Sequence, residues 1–209
     1  KYQVDKIYPP SGLEVHKINT YNSNVKSVKE VYEEIKDLDP FTIEGYQVIV
    51  RDKSTKETKS FYILNKKDLD VAIENSVTAF LDKDEYKKYL LGNQDKIEEE
   101  GTEIINVYFD QQVTLKKTYI STEENIITNS NDLSRYFLFG TLDLDNKYTV
   151  KASDTIDSIA YNNQLGVSDF LIANPKIVGA NALLAIGQEV TVAPISPIAN
   201  VVVEAYDTS

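Results

Sequence analysis

"YTVKASDTIDSIAYNNQLGVSDFLIANP", residues 148–175, decides how this chain is read. Tyr148 and Val150 fall on one face of a short strand. Ser153, Asp154 and Thr155 then offer three possible N-caps. With Ser153 or Asp154 at the cap, Ile156, Ile159 and Ala160 line one face of a helix. Gly166 is placed to stop that helix in a left-handed conformation. Ser168 would cap a second helix that offers Phe170, Leu171 and Ala173 for burial. Asn174-Pro175 ends it, because proline disfavours helix at the residue before it. Beyond lies "LLAIGQEVTVAPI", residues 183–195, with Leu184, a turn at Gly187-Gln188, and a strand holding Val190 and Val192. The order is strand, helix, helix, strand. The two strands are expected to pair antiparallel with both helices on one face, a core near the lower limit for folding without a disulfide.

Outward from this stretch, the totals narrow the function. The chain has 209 residues, 42% of them hydrophobic, and a net charge of -11. That size supports one or two domains with a core. The acidic balance argues against nucleic acid, where affinity rests on Lys and Arg neutralising phosphates, and against anionic membrane surfaces. Cysteine, methionine and tryptophan are absent, so neither a disulfide nor a thiolate metal site is expected. The chain starts at Lys1 and reads as a mature or excised fragment, with any signal peptide or anchor outside it. No apolar run approaches the roughly 18 residues a membrane helix needs.

Upstream, the sequence reads as a mixed α/β domain over residues 1–145, with antiparallel strands and three to four helices. "LEVHKI" (residues 13–18) alternates as a half-buried strand does. Ser27 caps a helix with Val28, Val31, Tyr32 and Ile35 on one face, ended by Asp39-Pro40. "FTIEGYQVIVRD" and "KSFYILN" form a hairpin around Ser54 and Thr55. Asn65 caps a helix carrying Leu69, Ala72, Ile73, Val77 and Leu81. Another starts near Lys83 and fades in Glu98-Glu99-Glu100, with Gly101 as terminator. "EIINVYFDQQVTLKKTYIS" (residues 103–121) reads as one long strand. Ser130 or Asn131 caps a short helix ending at Gly140. Composition shifts near 145, where charged residues give way to small ones, Asn and Ala. The fold class is α+β: this domain, a small βααβ unit over 147–194, and, in "PISPIANVVVEAYDTS" (residues 194–209), the opening strand of a truncated β-rich extension over 195–209.

The pattern Y-x-V-x-x-x-D-T-x-x-x-I-A, then V-S-x-x-x-L-x-x-x-N-P, then L-x-x-G-Q-x-V-x-V resembles the lysin motif (LysM) family. The residues that carry the resemblance are Tyr148, Val150, Asp154, Thr155, Ile159, Ala160, Val167, Ser168, Leu171, Asn174, Pro175, Leu184, Gly187, Gln188, Val190 and Val192. The family commonly has glycine where this chain has Ser153, and proline where it has Ile186. The resemblance implies binding of glycans that contain N-acetylglucosamine, peptidoglycan or chitin, in a shallow groove between the loops flanking the two helices. Carried over, the glycan-binding residues are Ala152, Ser153, Asp154, Thr155 and Ile156 on one wall, and Asn174, Pro175, Lys176, Ile177 and Val178, up to Gly179, on the other. An N-acetyl group needs N–H and C=O partners and an apolar seat for its methyl. Helix-start N–H groups are available donors, and Ile177 and Val178 could form the seat. The plainer reading sits beside this one: Asp154 and Thr155 as caps, Asn174 and Pro175 as turn-makers.

Catalysis has few footholds. His16 is the only histidine; a zinc peptidase nearly always uses more than one, and a Ser-His-Asp arrangement would have to recruit it. It reads as exposed on a strand. Glu98-Glu99-Glu100 reads as a solvated helix end and Glu123-Glu124 as a capped turn, rather than as a glycosidase pair. No phosphate loop or calcium loop is present. Tyr86, Tyr89, Tyr108, Phe109, Tyr119, Tyr136, Phe137 and Phe139 are assigned to the core of the first domain rather than to a sugar platform. No cofactor or metal is implied. The layout loosely resembles the N-terminal half of secreted LysM-containing zinc endopeptidases of the lysostaphin type from Firmicutes. The expectation is a non-catalytic, extracellular, cell-wall-associated region that targets a peptidoglycan hydrolase whose catalytic domain lies elsewhere. The rival expectation is a structural or assembly protein, such as a phage-tail or spore-coat component, that uses the LysM-like fold for protein contacts.

Overall fold

A computed structural model describes residues 2–19, 21, 24–38, 40–97 and 101–208 of the chain. The described residues form six helices and mainly antiparallel strands. Two of the expected helix ends, Asp39 and Glu98–Glu100, lie outside the described residues.

The expected hairpin forms: β1 (Thr42–Arg51) pairs antiparallel with β2 (Thr58–Ile63). Its turn is closed by Asp52, whose Oδ1 accepts from Ser54 N–H at 2.8 Å and Thr55 N–H at 2.7 Å. The stretch expected as one strand divides into β3 (Thr102–Phe109) and β4 (Gln112–Ser121), which belong to different sheets. β4 pairs with β1, and a two-residue β5 (Ile126–Ile127) lies parallel to β2, giving the order β4-β1-β2-β5.

Three helices precede β3. α1 (Val28–Leu38) begins at Ser27, whose Oγ accepts from Glu30 N–H, while Glu30 Oε2 accepts from Ser27 N–H. Its expected apolar face is only partly covered: α1 buries no residue fully, Ile35 is half-buried, and the Tyr32 ring stacks on Phe41 with centroids 5.3 Å apart. α2 (Lys66–Thr78) buries Leu69, Ala72, Ser76 and Val77. Its Asn65 donates to Asp68 Oδ2 rather than capping the backbone. α3 (Lys83–Leu91) ends at Gly92, φ 66°, well before Gly101. α4 (Ser130–Phe139) is capped by Asn129, not by Ser130 or Asn131, and ends as expected at Gly140. Residues 13–18 do not form a strand: the alternation is there, but no neighbouring edge accepts it and every residue is exposed.

One face of the four-stranded sheet holds Val48, Val50 and Ile63. α2 and α4 cover it with Leu69, Ala72, Leu133 and Phe137. Each such large side chain contributes about 1.5–3 kcal/mol on burial. The aromatic residues do not all join this core. Phe137 and Phe139 are buried, Phe109 and Tyr136 pack at its margin, and Tyr108 and Tyr119 are exposed.

The remaining elements are β6 (Lys147–Thr149), α5 (Ile156–Asn162), α6 (Val167–Ala173), β7 (Glu189–Thr191) and β8 (Val201–Asp207). β6 and β7 pair antiparallel, as expected. Helices of this length are unstable alone. Ile156, Ile159, Ala160 and Phe170 pack with Val150 and Val190 into a separate buried cluster that holds them.

The tail returns to the first part of the chain: Val201–Asp207 pairs antiparallel with β3, Phe109 opposite Val201 and Thr102 opposite Asp207. Ile198 and Ala199 enter the cluster under α2 and α4. Ser196 N–H and Ile198 N–H donate to the carbonyls of Leu138 and Phe137, at 3.0 and 2.9 Å. Gly140, φ 71°, lies so close beneath this return that a Cβ there would sit 3.0 Å from Ser196 O. The excursion from Gly140 to Ser196 therefore begins and ends at one place. Its helix α6 packs on α4. A further buried cluster of Leu138, Phe139, Leu144, Ala173 and Ala193 seals that junction.

Candidate functional site

The first wall grows from the end of β6. Val150 N–H donates to Gln188 O at 2.9 Å and Gly187 N–H to Val150 O at 2.8 Å, extending the ladder. The chain then turns sharply. Asp154 Oδ2 accepts from Lys151 N–H at 2.7 Å and from the Tyr148 hydroxyl at 2.8 Å, tying the loop to the strand. The Lys151 N–H, and then the Tyr148 phenol, hold the Asp154 carboxyl below the usual carboxylate range; the same bond raises the Tyr148 phenol. Asp154 is thus the lock of the loop. The helix cap is Thr155, whose Oγ1 accepts from Ser158 N–H at 3.1 Å while Ser158 Oγ accepts from Thr155 N–H at 2.9 Å. This reciprocal pair selects Thr155 among the three candidate caps, over Ser153 and Asp154. It was readable as T-x-x-S, with serine in place of the usual Glu or Gln. Ser153 has φ 70°, left-handed backbone that costs a non-glycine residue about 1–2 kcal/mol.

Gly166 also plays another part than expected. Its φ is -72°, and it starts α6 rather than stopping α5; the left-handed residue is Gln164, φ 59°. Ser168 falls inside α6, not at its cap. Asp169 Oδ2 accepts from Gly166 N–H at 2.9 Å, while its Oδ1 is buried with no partner. Burial pushes the Asp169 carboxyl up, against the smaller lowering by that N–H.

The second wall begins at Asn174, which ends α6. Its Nδ2 donates to Phe170 O and to Thr191 O, both at 2.8 Å, and its Oδ1 accepts from Thr191 N–H at 2.7 Å. Both amide hydrogens are spent within the fold and the carbonyl oxygen accepts one bond there, so the side chain brackets α6 to β7. Ile177 N–H donates to Asn174 O at 2.9 Å and completes the turn. From there the chain runs back to Gln188, beside Val150, the end of the strand pair from which the first wall leaves.

Of the ten residues expected to meet glycan, Ala152, Ser153, Thr155, Pro175, Lys176 and Val178 are exposed. Val178 is the most open of the apolar ones, 87% exposed. Ile177 is half-buried against the cluster of α5 and α6, and Ile156, 1% exposed, lies within that cluster. The exposed side chains of the walls are small, hydroxyl-bearing or apolar, except that of Lys176. Such a surface can hold a neutral polar ligand. His16 is exposed beside Glu14, outside any strand, with its Nε2 3.0 Å from Glu14 Oε2. Among the described residues no group of His, Asp and Glu could hold a metal ion, and no helix is long and apolar enough to cross a membrane.

The LysM domain model matches residues 148–193. This stretch is a LysM domain, of a family that binds glycans containing N-acetylglucosamine, including peptidoglycan. Neither curated proteins nor solved structures give a match to the chain.

Proposed function

We propose that this chain is a non-catalytic cell-wall binding region. Its LysM domain takes N-acetylglucosamine-containing glycan between Ala152–Thr155 and Pro175–Val178. It works outside the cell and targets a peptidoglycan hydrolase whose catalytic domain lies in another part of the protein. The observation that carries this reading is the first wall. There Ser153 is held at φ 70° between the Asp154 lock and the Thr155 cap, at the position where the family commonly has glycine. The loop therefore keeps the family's turn with a different residue in it.

Co-sedimentation of the chain with purified peptidoglycan tests the proposal. The expected result is saturable pelleting, released by soluble N-acetylglucosamine oligomers. Protein that stays in the supernatant, or that pellets regardless of competing oligomer, overturns it. The assembly reading draws support from the apolar side chains left open between residues 13 and 38, among them Val15, Ile18, Val28 and Leu38, each at least 75% exposed. Pelleting that oligomer leaves untouched, together with association between protein chains, would favour that reading.

A further inference from the structure

We infer that the glycan site does not end at the LysM domain but continues across its junction with α2 and α4, where Asn75 and Asn131 form a subsite for one more uncharged sugar residue. The inference rests on the glycan reading above. Its basis is a shallow, open depression of about 310 Å³ that brings Leu171 of α6 and Pro175, Ile177 and Val178 of the second wall together with Asn75, Asn131 and Ser134. That volume is at the lower end of small-ligand pockets. The loop assigned to the LysM groove is thus also a wall of this cleft.

The lining has the chemistry of a sugar site. The chain carries 22 basic and 33 acidic residues, yet none of them lines this cleft. The apolar side chains can meet the carbon face of a pyranose or an acetyl methyl. The amides can meet its hydroxyls and its N–H and C=O groups. Asn75 Nδ2 donates to Ser134 Oγ at 2.9 Å, and Ser134 Oγ in turn donates to Ser130 O at 2.8 Å. This relay fixes the Asn75 amide and leaves its carbonyl oxygen for a ligand. Asn131 is exposed, in the first turn of α4, with the whole amide open to a partner. The two sides are held together by Leu138, Phe139, Ala173 and Ala193 in the buried junction, so little ordering is required on binding. A charged stem peptide would find no ion pair here, which favours the sugar.

The test uses the full chain and N-acetylglucosamine oligomers of increasing length, by calorimetry and by NMR of the side-chain amides. For the wild type, affinity should rise with length, and the Asn75 and Asn131 amide signals should shift only with the longer oligomers. Asn131→Ala, at an exposed site, should bind the longest oligomer about three- to tenfold more weakly, the effect of one or two hydrogen bonds. It should bind the shortest saturating oligomer as the wild type does. Unchanged affinity of Asn131→Ala and Asn75→Ala for every length, with short oligomers still bound, would overturn the subsite and leave the LysM groove standing. Amide shifts seen only with peptide-bearing muropeptides would also overturn it. Failure of every oligomer to bind the wild type would instead remove the glycan reading on which it rests.

Discussion

Asn174→Ala separates a structural bracket from a ligand contact at the residue where the two readings compete most directly. The side chain makes three hydrogen bonds, to Phe170 O, Thr191 O and Thr191 N–H, at 2.7–2.8 Å. Each is worth about 0.5–1.5 kcal/mol net. Thr191 is only 6% exposed, so water cannot replace the lost acceptor without opening the pair of β6 and β7. Taken together, the loss should be about 3 kcal/mol. Urea unfolding followed by circular dichroism and tyrosine fluorescence should then show a midpoint lowered by about 1–3 M, at slopes of about 1–3 kcal/mol/M. Because both amide hydrogens are spent and the carbonyl oxygen already accepts one bond within the fold, affinity for N-acetylglucosamine oligomers under native conditions should stay within about twofold of wild type, less than the effect of one net hydrogen bond. Asn174→Asp, which keeps the acceptor for Thr191 N–H but sets a carboxylate oxygen against two carbonyls, should be at least as destabilising. A loss below about 1 kcal/mol, a single hydrogen bond's worth, accompanied by abolished oligomer binding, would refute the bracket and make Asn174 a contact.

Ser153→Gly should stabilise the protein by about 0.5–1 kcal/mol, the left-handed strain relieved less the freedom glycine adds to the unfolded chain; a thermal melt unchanged or lowered would contradict the strain. Asp169 has a folded pKa raised above its unfolded value by burial. The folded state therefore holds the proton more tightly, and stability falls as pH rises from the ordinary carboxylate value through the raised one. Asp169→Asn removes that fall, so its stability relative to wild type should grow from acid to neutral pH, as read by urea titrations at each pH. A difference independent of pH would contradict it. Ile198→Ala, at a position 5% exposed in the cluster under α2 and α4, should cost about 2–5 kcal/mol in equilibrium unfolding. A tail that merely opened a separate unit would register almost nothing.

What the sequence disclosed, and what it hid, divides by the range of the interaction. Residues 42–51 and 58–63 are rich in β-branched and aromatic residues and joined by a charged turn, and they pair as expected. Residues 13–18 alternate too but pair with no strand, and alternation cannot say whether a partner exists. The β-branched and aromatic stretch from Glu103 to Ser121 reads as one strand because its break is set from far away. Gln111 Oε1 accepts from Asn200 N–H at 2.7 Å and Asp110 N–H donates to Asn200 O at 3.0 Å, so the returning tail decides where β3 leaves one sheet and β4 enters another. The LysM stretch was legible because its signals are local: caps, turns and burial within a few residues. Even there, which of Ser153, Asp154 and Thr155 caps α5 depended on the backbone. With Ser153 at positive φ, Asp154 reaches back to Lys151 and Thr155 forward to Ser158. The Asn174 bracket joins α6 to Thr191 across a loop, and nothing near Asn174 in sequence announces it.

The placement of the LysM stretch bears on how the chain could hold a glycan. A module hung from one flexible linker reorients freely, and any sugar reaching beyond its groove must bear the entropy of fixing that orientation. Here the chain leaves α4 at Gly140 and returns to it at Ser196, with the return hydrogen-bonded to Leu138 and Phe137. Ala173 and Ala193 are buried with Leu138 and Phe139 between the two crossings. Two covalent crossings and an apolar seal fix the second wall against α2 and α4. That fixed relation is what allows Asn75 and Asn131, remote in sequence from the LysM pattern, to serve the same ligand. It also ties the two parts energetically. A substitution such as Ile198→Ala, made outside residues 148–193, should then weaken binding of long oligomers more than short ones, because it loosens the seat of the cleft while leaving the caps and turns of the LysM loops intact.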